Sequence, residues 1–154
     1  NKPSLTDHRK TMIKKTIENQ DVLLKNLDIV PLVVHIKAMK RQGLITVSFY
    51  KSNSGKEPVR EWLLEEVTTD ERKIIGRDIK IVQMSWPMGM PLVESFGGGL
   101  WQVRSMLSSK ISRVFFTFFN NEIILLHGFI KKTKKTPVKD LELAKSRKDS
   151  FRKG

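Results

Sequence analysis

Apolar and polar residues alternate from Leu44 to Tyr50 (LITVSFY), and the run is rich in β-branched and aromatic side chains, which predicts a strand. Lys51–Lys56 (KSNSGK) reads as a turn. Pro58 suits the first turn of a helix that carries Val59, Trp62 and Leu63 on one face. A second helix restarts at Thr69-Asp70-Glu71, runs through Ile74, Ile75, Ile79 and Val82, and stops before Trp86-Pro87. Pro87–Pro91 and Gly97-Gly98-Gly99 bracket a predicted loop. Three strands follow, Leu100–Met106, Ser112–Phe119 and Glu122–Ile130. Asn120-Asn121 marks a tight hairpin, because Asn tolerates positive φ. Pro137 opens a last helix with a weak apolar side of Leu141, Leu143 and Ala144. The order strand, two helices, three-strand meander and C-terminal helix predicts an α+β fold, with helices packed on an antiparallel sheet.

Residues 1–42 read differently. Ser4 or Thr6 can cap a helix over Leu5–Leu27, and Ile29–Ile36 is a short apolar run suited to a strand or an interface. We therefore expect an N-terminal extension over residues 1–42 and one domain over residues 43–154 with a basic tail. The extension is expected to dock on the domain's own helical layer, with self-association, or an inhibitory arm lying near the domain's basic face, as the alternatives.

Charge narrows the partners. Lys and Arg number 29 against 16 Asp and Glu, a formal net charge of +13. A polyanion is the obvious partner for such a chain, and nucleic acid is the commonest one. The absence of cysteine excludes disulfides, zinc–thiolate sites and cysteine nucleophiles, and fits a reducing cytoplasm. No apolar run approaches the roughly 20 residues that span a bilayer, so no membrane partner is expected. Gly97–Gly99 precedes a strand and lacks the Gly-Lys-Ser/Thr of a phosphate loop, so it reads as a turn.

Period-two alternation shows which side chains can cooperate. Arg104 shares a strand face with Leu100 and Gln102, and Arg113 lies with Phe115 and Thr117. His127 is expected on one face with Leu125, Phe129 and Lys131. In a meander, Arg104, Arg113 and Lys131 line one shallow basic cleft, which Lys132, Lys134 and Lys135 extend at the rim. His127 has two readings, a hydrogen-bonded core histidine or a member of the site.

The stretches PVREWL (58–63), GRDIK (76–80), WPMGMP (86–91), GGGLWQVRS (97–105), SRVFF (112–116) and LLHGFIKKTKKTP (125–137) resemble the phage-derived, HigB-like branch of the RelE toxin superfamily. The likeness covers about two thirds of the chain and leaves residues 1–42 outside. Gln102 departs from it, standing where relatives often carry Glu. The resemblance implies a RelE-like fold and a cytoplasmic toxin of a type II toxin–antitoxin system. Such a toxin is a ribosome-dependent mRNA endonuclease that needs neither metal nor cofactor. It implies Arg104, Arg113, Lys131 and His127 as catalytic residues, and Lys80, Lys132, Lys134 and Lys135 as RNA contacts. The implied partners are mRNA on the ribosome and a helix-turn-helix antitoxin. The competing reading is a non-catalytic basic module of the same fold that binds nucleic acid or the ribosome.

Overall fold

A computed structural model describes residues 45–132 and 134–154. The extension expected over residues 1–42, its helix and its apolar run lie outside the described residues. Within them the elements are β1 (Thr46–Phe49), α1 (Pro58–Glu65), α2 (Thr69–Ser85), β2 (Val93–Gly97), β3 (Leu100–Met106), β4 (Ile111–Phe119), β5 (Glu122–Lys131) and α3 (Val138–Lys153). The fold is α+β and consistent with the RelE-like arrangement.

The five strands form one sheet in the order β1-β5-β4-β3-β2. β2 to β5 pair antiparallel, whereas β1 pairs parallel with β5, Thr46 facing Glu122 and Phe49 facing Leu125. The sheet is thus mixed, and it gains a strand, β2, in the stretch expected to be a loop. A parallel neighbour needs a long crossover, and α1, α2 and the meander supply it.

Local chemistry explains the boundaries. Pro58 begins α1. Thr68 and Glu71 form a reciprocal capping box at the start of α2, the Thr68 hydroxyl accepting from the Glu71 N–H and the Glu71 carboxylate from the Thr68 N–H. α2 ends before Trp86-Pro87, as the proline requires. Asn120 and Asn121 take φ of 50° and 58°, the two positive values of a tight hairpin turn between β4 and β5.

Helices cover both faces of the sheet. On the first face, Val59, Trp62 and Leu63 of α1 and Ile75, Ile79 and Val82 of α2 pack on Val103, Val114, Phe116, Ile123 and Leu125. Trp86 closes this layer edge-on against Trp101, with ring centroids 4.9 Å apart. On the second face, Ala144, Leu141 and Phe151 of α3 meet Leu100, Phe115, Ile124 and Leu126. The basic end Lys145–Lys153 is regular helix, and its cations grip the sheet. Arg147 donates to the Leu126 carbonyl at 2.9 Å, and Lys148 to the Gly98 carbonyl at 2.7 Å. The three glycines are therefore a β2–β3 turn held by α3, as the turn reading expects.

A bulge between β4 and β5 changes one facing. Phe115 stands opposite His127 while Phe116 stands opposite Leu125, so Leu126 is the extra residue on β5. Leu126 and His127 both turn toward α3, and Leu125 points to the first face. The simple alternation that grouped His127 with Leu125 fails at this bulge.

Candidate functional site

The second face of the sheet is open between α3 and the β2 edge, and there a cleft of about 430 Å³ forms. Its lining includes Glu94 and Phe96 from β2, Arg104 from β3, Arg113 from β4 and Lys131 from β5. Lys134, Lys135 and Thr136 close it from the β5–α3 connection, with Leu141 of α3 behind them. Sheet register builds this convergence. Arg104 is the direct cross-strand partner of Arg113, and one step along the sheet Glu94 pairs with Gln102, which faces Phe115.

Two arginines directly opposite each other repel. The fold compensates only one of them. Arg113 is 2% exposed, and its Nη1 donates to Glu94 Oε2 at 2.9 Å and to Gln102 Oε1 at 2.5 Å. Burial, and next the charge of Arg104, lowers its pKa, and the Glu94 carboxylate opposes that shift. Arg104 is half-buried, and its contact with a side chain is to Met90 Sδ at 3.8 Å. Among the described residues no carboxylate pairs with it. Lys131, at the end of β5, has its pKa lowered by burial first and then by the charges of Arg113 and Arg104. A proton is easier to remove from such an ammonium than from an ordinary lysine.

The structure brings together Arg104, Arg113, Lys131, Lys134 and Lys135 and leaves three expected residues elsewhere. Lys132 is exposed but outside the lining. Lys80 sits on α2, 1% exposed, against the first face of the sheet, so an RNA phosphate does not reach it. The apolar stripe of α2 marks the side the sheet takes, but the covered face is wider than the stripe and includes Lys80 and Gln83. His127 lies beside the cleft, under α3. Its Nε2 is 2.6 Å from Asp140 Oδ1, its Nδ1 is 3.4 Å from Arg147 Nη1, and its ring stacks on Phe129. Burial lowers its pKa more than Asp140 raises it. His127 is thus hydrogen-bonded beneath α3 and does not line the cleft.

Glu94 and Phe96 are the cleft residues that sequence reasoning missed. The signal was present in Val93-Glu94-Ser95-Phe96, where apolar and polar residues alternate as on a half-buried strand. Gln102, fully buried, is an acceptor for Arg113, and its Nε2 makes no hydrogen bond among the described residues. Among those residues no cluster of three His, Cys, Asp or Glu is placed to hold a metal ion, and no helix is long and apolar enough to cross a membrane.

The cleft gathers five cationic side chains, Arg104, Arg113, Lys131, Lys134 and Lys135, on one sheet face, a charge arrangement suited to an anion. The fold and site thus define a small α+β protein with a basic cleft on an open sheet face. Residues 61–149, more than half of the chain, match the model of the family described as Phage derived protein Gp49-like (DUF891), and the chain belongs to that family. No curated protein matches it.

Proposed function

We propose that this protein is a toxin-type endoribonuclease that cleaves mRNA on the ribosome, with the basic cleft as its active centre. The observation that carries the reading is the asymmetry of the arginine pair. Arg113 is held by Glu94 and Gln102, and Arg104 beside it has no carboxylate among the described residues. A scissile phosphate supplies the missing anion. Membership of a phage-derived family and the resemblance to RelE- and HigB-like toxins support the same reading.

The chemistry follows from the charges. Attack of a 2′-oxygen on phosphorus builds negative charge on the phosphorane oxygens. Arg104 meets that charge with a bidentate fork, while Arg113 fixes the floor of the cleft. Burial, and next the charges of Arg113 and Arg104, lowers the pKa of Lys131, so its ammonium gives up a proton more readily than an ordinary lysine and can serve in proton transfer. Lys134 and Lys135 extend the positive surface along the RNA backbone. Residues of the chain itself carry each of these roles.

A cytoplasmic setting and a helix-turn-helix antitoxin belong to this proposal. The test is induced expression beside a purified translation system. The wild-type protein should arrest growth and cut translating mRNA, and Arg104→Ala should do neither while remaining folded. A folded wild-type protein that binds RNA and cuts nothing would favour the non-catalytic basic module.

A further inference from the structure

The cations of the cleft can stabilise a phosphorane, yet one of the cleft's groups must also take a proton from the 2′-hydroxyl. A guanidinium offers no lone pair for this. His127 does not line the cleft, and both its ring nitrogens face partners, Asp140 and Arg147. Burial, and next the charges of Arg113 and Arg104, lowers the pKa of the Lys131 ammonium, which suits it to donate a proton. Among the lining residues Glu94 is the carboxylate.

Its setting is that of a working group. Glu94 is 39% exposed where its partner Arg113 is 2% exposed, so a ligand entering the cleft meets the carboxylate first. One oxygen, Oε2, is held by Arg113 Nη1 at 2.9 Å. The other, Oε1, accepts no hydrogen bond from the described residues. Strand β2 fixes the backbone beneath it through the pairing of Glu94 with Gln102. Because position 102 is a neutral amide, Glu94 is the one carboxylate among the described residues that lines the cleft with Arg104, Arg113 and Lys131. An anion-binding site that needed charge alone would gain by lacking it. A negative group in the one place where RNA phosphate must bind calls for a chemical reason.

We propose that Glu94 is the catalytic base of the cleft and accepts the 2′-hydroxyl proton, a step that rests on the nuclease reading above. The proton passes to Oε1 as the O2′–P bond forms. The P–O5′ bond breaks, its electron pair goes to O5′, and O5′ takes a proton from the Lys131 ammonium. The products are a 2′,3′-cyclic phosphate and a 5′-hydroxyl. Water returns the proton from Glu94 to Lys131.

The test compares wild type with Glu94→Gln and Glu94→Asp. Single-turnover cleavage of mRNA on purified translating ribosomes is followed across pH, and binding of a 2′-O-methyl RNA oligonucleotide is measured in parallel. Glutamine keeps an acceptor for Arg113 but cannot serve as the base. Cleavage by Glu94→Gln should fall on the order of 10²–10⁴-fold, the usual contribution of general base catalysis. RNA binding should stay equal or tighten, because a negative charge has left the cleft. Glu94→Asp, which keeps a carboxylate on a shorter arm, should retain part of the rate. A Glu94→Gln rate within about threefold of wild type would overturn the proposal and leave Glu94 a stand-in for phosphate. A matched loss of rate, RNA binding and thermal stability would overturn it too and make Glu94 a support for Arg113. If the folded wild type cuts no mRNA, the nuclease reading itself fails, a result distinct from either of these.

Discussion

Arg104 and Arg113 face each other across two strands, yet their replacement should have opposite consequences. Arg113→Ala removes a guanidinium that is 2% exposed and bonded to Glu94 and Gln102. It strands the fully buried Gln102 amide and deprives Glu94 of its partner. Breaking a buried charge pair costs roughly 3–5 kcal/mol, and a stranded buried polar group about 1–3 kcal/mol. Glu94 is well solvated, so the Coulomb share is screened and the sum falls to about 2–4 kcal/mol. At about 2–4 °C per kcal/mol for a chain of this size, Tm should drop by roughly 5–15 °C. Arg104→Ala removes a half-buried side chain without a carboxylate partner and should cost under about 1 kcal/mol. The assay is thermal and urea unfolding of both variants followed by circular dichroism, with RNA binding measured at a temperature where both are folded. Arg104→Ala should lose RNA affinity at near wild-type stability, whereas Arg113→Ala should lose stability first. Equal stability of the two variants would refute the division of labour between a structural and a ligand-facing arginine.

Much of this arrangement was legible in the sequence, and the gaps have identifiable physical causes. The capping residues Thr68 and Glu71 and the stop at Trp86-Pro87 delimit α2 by local chemistry alone. Alternation placed Arg104 and Arg113 on one face because β3 and β4 pair without irregularity there. The same rule placed His127 with Phe129 and Lys131 but failed for Leu125, because the bulge at Leu126 shifts the alternation by one residue and has no local signature. β2 was hidden because its five residues lie between a proline-rich loop and three glycines, and an edge strand needs its neighbour to form. Parallel pairing of β1 with β5 is a long-range contact that no short window contains. Lys80 looked like a surface cation because it flanks the apolar stripe of Ile75, Ile79 and Val82, whereas the covered face of α2 is wider than that stripe and takes in Gly76, Lys80 and Gln83.

Two further outcomes follow from the geometry. RNA affinity should fall with salt, and Arg104→Ala or Lys134→Ala should each reduce the log–log slope by about 0.7 for single-stranded RNA, whereas Lys80→Ala should leave the slope unchanged. His127 titrates below its ordinary 6.5 in the fold because of burial, so between the two values the unfolded chain binds more protons than the native one. Stability should therefore decline as pH falls below about 6.5 and level off below the folded value. His127→Gln should flatten that limb in unfolding curves recorded between pH 5 and 8, and an unchanged limb would place the titrating group elsewhere.

The most direct test of the central claim is the chemistry of the RNA ends left when purified protein meets a translating ribosome. In-line attack by the 2′-oxygen within a cleft of cations predicts cuts within the mRNA that leave a 2′,3′-cyclic phosphate, or its hydrolysed form, and a 5′-hydroxyl. Those ends should be absent with Arg104→Ala. Intact mRNA after incubation with folded wild-type protein, or fragments bearing a 5′-phosphate and a 3′-hydroxyl, would contradict the account.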